Sequence, residues 1–233
     1  MPDVEFAANG GTATGYFAEP EDTGPGLIVL QEWWGVDDHI RDVCNRFAAE
    51  GFLALAPDLF HGETTEQPDE AQQKMMALNM DEAEKEVRGA VRFVLEHPKC
   101  NGNVGSVGFC LGGGLSVWAA TASPEIGAVV SFYYVMPHGK PDFSKLNAPV
   151  LGHFGTNDQF ISVGEAESLE EELQQAGVEA AFEFYEGAGH AFFADHNRLG
   201  TYHEEHADTA WRKTVDFFKK HLSSNRDPSR NGN

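Results

Sequence analysis

Six short apolar runs, separated by segments with helical spacing, leave this chain very few architectures. The runs at 26–30, 52–56, 104–109, 128–134, 149–154 and 181–185 carry apolar residues with little alternation. A strand with water on one face alternates apolar and polar side chains, so these runs read as strands covered on both faces. Between them the apolar residues recur at helical spacing. The sets are Ile40, Val43 and Phe47; Val87, Ala90, Val91 and Val94; Leu115, Trp118, Ala119 and Ala122; Ala166, Leu169, Leu173 and Ala176; and Trp211, Val215, Phe218 and Leu222. Each set makes a stripe along one side of a helix, able to cover a sheet. Strands alternating with such helices predict the α/β class: a mostly parallel central sheet with helices on both faces. The polar stretch 61–70 reads as an exposed connection ahead of a long helix.

No linker, repeat or low-complexity run divides the chain, so residues 1–222 are expected to form a single domain and the polar 223–233 a flexible tail. Of the 233 residues, 41% are hydrophobic, enough for a sizeable core. Sixteen Lys and Arg stand against 37 Asp and Glu, a formal charge of −21 that repels phosphate backbones and argues against nucleic-acid binding as the main task. The three cysteines, Cys44, Cys100 and Cys110, cannot form a closed disulfide set and contain no C-x-x-C pair. Acids occupy the N-terminus where a secretion signal needs positive charge. The longest apolar runs fall short of the ~18 residues of a membrane span. The expectation is a soluble cytoplasmic protein, a monomer or small homo-oligomer, with neither a nucleic-acid nor a membrane partner. His203-Glu204-Glu205-His206 is one residue short of the zinc pattern H-E-x-x-H and reads as a solvated helix start, so no metal and no cofactor are expected.

The chemistry concentrates around residues 104–114. A strand runs into Gly108-Phe109-Cys110-Leu111-Gly112 and a helix starts at once, the nucleophile-elbow pattern G-x-S-x-G with cysteine in place of serine. The glycines remove side chains that would collide in so sharp a turn, and the helix N-terminus favours a thiolate. Asp158 follows the strand at 149–154, and His190, in Gly187-Ala188-Gly189-His190, follows the strand at 181–185. Nucleophile, acid and histidine thus come in the order of an α/β-hydrolase, each just past a strand, where ligands of open α/β sheets gather. Trp34, Phe132 and Tyr133 lie near the same edge and are candidate pocket walls.

The motifs Gln31-Glu32 with Gly35, Ala56-Pro57-Asp58-Leu59, Gly108-Phe109-Cys110-Leu111-Gly112-Gly113 and Gly189-His190 resemble the dienelactone hydrolase family across about 27–222. The resemblance implies Cys110 as nucleophile, His190 as base and Asp158 as the carboxylate orienting His190. It also implies that Glu32 rests against the thiol until substrate moves it, and that the amides of Leu111 and Trp33 form an oxyanion hole. The expected activity is cysteine-dependent hydrolysis of lactones or activated esters through a thioester, the substrate being a small molecule. The alternatives are a broad-range carboxylesterase of the same fold, or a non-catalytic binding or regulatory module. One departure bears on the substrate. The best-known family members hold a substrate carboxylate with two arginines, but here 72–76 offers only Lys74, and Ala191-Phe192-Phe193-Ala194 follows the histidine.

Overall fold

A computed structural model describes residues 3–223 of the chain; the expected tail lies, from residue 224 on, outside the described residues. In chain order the elements are β1 (Asp3–Ala8), β2 (Gly11–Ala18), β3 (Gly24–Leu30), α1 (Asp38–Ala49), β4 (Leu53–Pro57), α2 (Pro68–Ala77), α3 (Met80–Leu95), β5 (Cys100–Phe109), α4 (Leu111–Ala122), β6 (Ile126–Phe132), β7 (Val150–Gly155), α5 (Val163–Gln175), β8 (Ala180–Tyr185) and α6 (Glu204–Leu222). The eight strands form one sheet in the order β1-β2-β4-β3-β5-β6-β7-β8. From β4 to β8 neighbouring strands pair in parallel, while β1 and β2 are antiparallel at one edge.

All six expected strands are present, and β3 to β7 are buried on both faces over their apolar runs, whereas β8, at the sheet edge, is only partly buried. Ile40, Val43 and Phe47 of α1 and Val215, Phe218 and Leu222 of α6 pack on one side of the sheet. Val87, Val91 and Val94 of α3, Leu115 of α4 and Leu169 and Leu173 of α5 pack on the other. Among the described residues, no helix is long and apolar enough to cross a membrane.

Two features differ from the sequence reading. The hairpin of β1 and β2 was not expected, because its residues alternate between buried and exposed instead of running apolar; Asn9 and Gly10, at φ 26° and 100°, make its turn. The long helix expected after residue 70 is two helices, the first beginning at Pro68. Asn79 breaks it: its backbone is extended, and its side chain accepts the amides of Asp81 and Glu82, capping α3.

The chain leaves β3 for β4 on one side and later returns to β5 on the other. The β3–β5 boundary is therefore the switch point of the sheet, where a crevice opens at the carboxyl ends of the strands. At that crevice β5 turns into α4 through Cys110, whose backbone sits at φ 56°, ψ −116°. The Cys110 amide donates to Phe132 O at 3.1 Å, and its carbonyl accepts from Gly113 at 2.9 Å and Val135 at 3.1 Å. Such a turn needs the helix start to lie directly on the strands. A Cβ on Gly108 would collide with Gly112 O, and one on Gly112 with the Leu30 and Gln31 carbonyls at the end of β3. Gly112→Ala is therefore expected to cost about 2 kcal/mol or more, whereas Gly164→Ala, with open space around its Cβ, leaves stability unchanged or slightly higher. Urea unfolding of the two variants distinguishes them; equal stability would contradict the close approach.

Candidate active site

The crevice gathers side chains from the ends of four parallel strands. Glu32 follows β3, Cys110 follows β5, Tyr133 follows β6 and Asp158 follows β7, while His190 comes from the loop after β8. Asp158, its side chain fully buried, is fixed from two directions. Its Oδ1 accepts the amides of Phe160 at 2.7 Å and Ile161 at 3.2 Å, and its Oδ2 bonds His190 Nδ1 at 2.8 Å. The helix that follows has its own cap in Ser162, paired with Glu165 in a capping box, so Asp158 is free to serve the histidine. Thr201 Oγ1 donates to the His190 carbonyl and ties down the loop.

His190 Nε2 is buried and makes no hydrogen bond to nitrogen or oxygen. The Cys110 sulfur is the neighbour whose negative charge acts on the ring. Burial opposes a charge on the ring, but the Cys110 thiolate and the Asp158 hydrogen bond outweigh it and hold the imidazole protonated up to about 10. Cys110 itself is 5% exposed, reachable only through the crevice.

Glu32 has two side-chain partners. Its carboxylate is held by His196 Nε2 at 3.1 Å on one oxygen and by the Tyr133 hydroxyl at 3.5 Å on the other. A buried carboxylate needs such partners, and His196 supplies the stronger one. His196 in turn packs edge-on against His39, which bonds Asp195 at 2.9 Å. Tyr133 is buried at φ 38°, a strained position for a bulky residue, and its ring lies 4.9 Å from His190. Burial and the negative charges of Glu32 and Cys110 push its hydroxyl up, keeping it neutral.

Two proposed pocket walls are corrected. Phe132 is fully buried, packed on Phe109, Phe193 and His153. Trp34 is almost as buried, against Trp33 and beneath Arg198. Both belong to the core because the strand-end pattern does not distinguish a side chain facing the cleft from one facing a helix. Gln31 and Asp58, from two of the family motifs, brace the crevice floor. Gln31 Oε1 accepts the Leu59 amide at 3.1 Å, and Asp58 accepts those of Phe60 and Gly62. His196 and Phe160, whose ring lies 4.5 Å from His190, were not anticipated; no spacing or motif marks either one.

Potential metal donors lie away from these groups. His203 caps α6 by accepting the His206 amide, and the two imidazoles stack 4.0 Å apart. His61, Glu82 and Glu86 place donor atoms within 4.8 Å of one another, with His61 and Glu86 already bonded at 2.8 Å.

A mostly parallel eight-stranded sheet, a left-handed elbow after β5, and an acid–histidine pair at the same edge define an α/β-hydrolase fold. The chain belongs to the dienelactone hydrolase family, whose model matches residues 13–222. It is 36% identical over 231 residues to protein usf of Aquifex pyrophilus, covering 94% of this chain and 98% of that one. It is 33% identical to a protein of Aquifex aeolicus provisionally named a carboxymethylenebutenolidase, again over 94% and 98% of the two chains. Among solved structures, a provisionally named dienelactone hydrolase of Klebsiella pneumoniae superimposes with a TM-score of 0.85 at 28% identity, covering 94% of this chain and 98% of that one. The protein is thus a carboxylic ester hydrolase by family and fold.

The electrostatics lead to a pH prediction. The Asp158 hydrogen bond and charge both raise the His190 ring toward about 10. Asp158→Asn is therefore expected to lower the pH at which that ring titrates, read from its ring-proton or ring-nitrogen NMR signals. A ring that titrates at the same pH in Asp158→Asn would contradict the pairing.

Proposed function

We propose that the protein hydrolyses lactones or activated esters through a thioester on Cys110, with His190 as acid and base and Asp158 as its orienting carboxylate. The observation that carries this reading is the His190 ring, bonded to Asp158 at 2.8 Å through Nδ1 and left with a buried, unpartnered Nε2 beside the Cys110 sulfur. Asp158 fixes the tautomer and orientation of the ring, so Nε2 is the nitrogen that exchanges protons with the reaction.

The reaction follows from this arrangement. With the proton already held on His190 Nε2, the Cys110 sulfur attacks the ester carbonyl carbon. A C–S bond forms while the carbonyl π pair moves to oxygen. The amides of Leu111, the first residue of α4, and of Trp33, just past β3, are the proposed donors to that oxygen. Preset donors of this kind are each worth roughly 3–4 kcal/mol of barrier. As the intermediate collapses, the C–O bond breaks and His190 returns its proton to the departing oxygen, leaving a thioester; in a lactone this opens the ring. Water then attacks the thioester, giving a proton to His190, and the C–S bond breaks to release the acid. Because a thiolate leaves a tetrahedral intermediate easily, enolates and other good leaving groups suit this nucleophile better than ordinary alkoxides.

Glu32 modulates the thiol. It is held by His196 and by Tyr133, whose ring lies 4.9 Å from His190.

The test is direct. Mixed with para-nitrophenyl acetate, the protein is expected to release a burst of nitrophenolate and to carry an acetyl group on the peptide containing Cys110 when quenched in acid. Cys110→Ala is expected to lose about a thousandfold or more in turnover. Full activity in that variant, or an acetyl group on another residue, would overturn the assignment.

A further inference from the structure

The wall of the crevice beside His190 is made of rings, not charges. Phe160 follows Asp158 by two residues, its amide bonding that carboxylate while its ring covers the His190 imidazole at 4.5 Å. The same ring meets Trp33 edge-on at 6.0 Å. Phe160 is nevertheless 52% exposed. Among the described residues only Met76, Phe160 and Tyr202 are large hydrophobics this open to water, and two of the three border one cavity. That cavity, of about 540 Å³, is lined by Gln159, Phe160, His190, Leu199, Thr201 and Tyr202 among others.

Charge narrows what such a wall can receive. Lys74, in the region where known family members carry an arginine, pairs with Glu63, and Arg198, in the loop after the histidine, pairs with Asp37 and Glu66. Glu32 and Asp158 are acids, and the charge on His190 is taken up by Asp158 and Cys110. Each of these cations is therefore already engaged, and the net charge of −21 would repel a substrate carboxylate.

We infer that Phe160, backed by the buried Trp33, forms the specificity wall of the site and receives the uncharged, aromatic or aliphatic leaving portion of an ester, so that neutral esters are selected over carboxylated ones. The inference rests on the proposed mechanism in one respect. His190 returns its proton to the departing oxygen, so the substituent on that oxygen lies against the ring that covers His190. A planar or aliphatic group there buries the exposed face of Phe160 and stacks on it.

The test compares para-chlorophenyl acetate with para-carboxyphenyl acetate, whose phenols are similarly acidic, so intrinsic reactivity is matched. The full chain is expected to favour the chloro ester by ~10-fold or more in kcat/KM. Phe160→Ala retains the backbone amide that bonds Asp158. It is expected to raise KM for the chloro ester about tenfold while kcat changes less than about twofold. Phe160→Leu should recover most of the loss, and the preference for the chloro ester over the carboxylated one should narrow in Phe160→Ala. Iodoacetamide labelling of Cys110 in Phe160→Ala serves as the control that the His190–Asp158 pair is intact. Equal efficiency on the two esters, or an unchanged KM in Phe160→Ala, would overturn the inference while leaving the thioester mechanism standing. Turnover of neither ester, with no acetyl group on Cys110, would remove both.

Discussion

The placement of α4 directly against the carboxyl ends of β3 and β5 is the constraint on which the site depends. Helix and strands approach so closely that Gly108 and Gly112 have no room for a Cβ, and the residue between them is forced to φ 56°. A non-glycine residue there costs on the order of 1–3 kcal/mol, offset by backbone hydrogen bonds that include one donated to Phe132 and those accepted from Gly113 and Val135. In return the sulfur stands at the mouth of the sheet, at the first turn of a helix whose dipole favours negative charge.

Electrostatics completes what the backbone begins. Asp158 and Glu32 are both buried carboxylates, and each is held by partners of a different kind. Asp158 uses two backbone amides and an imidazole, all rigid, which suits a group that orients. Glu32 is held by two side chains, Tyr133 and His196, and the longer of those bonds is 3.5 Å. Side-chain partners of this kind hold it less rigidly than backbone amides would. His190 is bonded to Asp158, and the negative charge of Cys110 and Asp158 overcomes the penalty of its burial.

Much of this was legible in the sequence because it follows from local rules. Buried parallel strands must be apolar on both faces, so six of eight were visible as unbroken runs; β1 and β2 alternate and were not. The elbow was visible because glycine at 108 and 112 is a steric requirement, and the order of Cys110, Asp158 and His190 follows the order of the strands. What the sequence did not reveal are contacts made between loops. The bond from His196 to Glu32 spans 164 positions, and the ring of Phe160 reaches His190 across 30, with no periodicity to mark either. Phe132 and Trp34 show the converse. An aromatic residue at a strand end carries no mark of which way it points, and these two point into the core.

The account stands or falls on the charge shared between position 110 and position 190. A proton-detected nitrogen NMR titration of the His190 ring measures it without substrate. In the wild type the ring is expected to remain an imidazolium through neutral pH and to titrate near 10. In Cys110→Ala, with the thiolate gone and burial unopposed by it, the transition should move down by several pH units. A His190 ring that titrates at the same pH with and without the sulfur would contradict the coupling at the centre of this site.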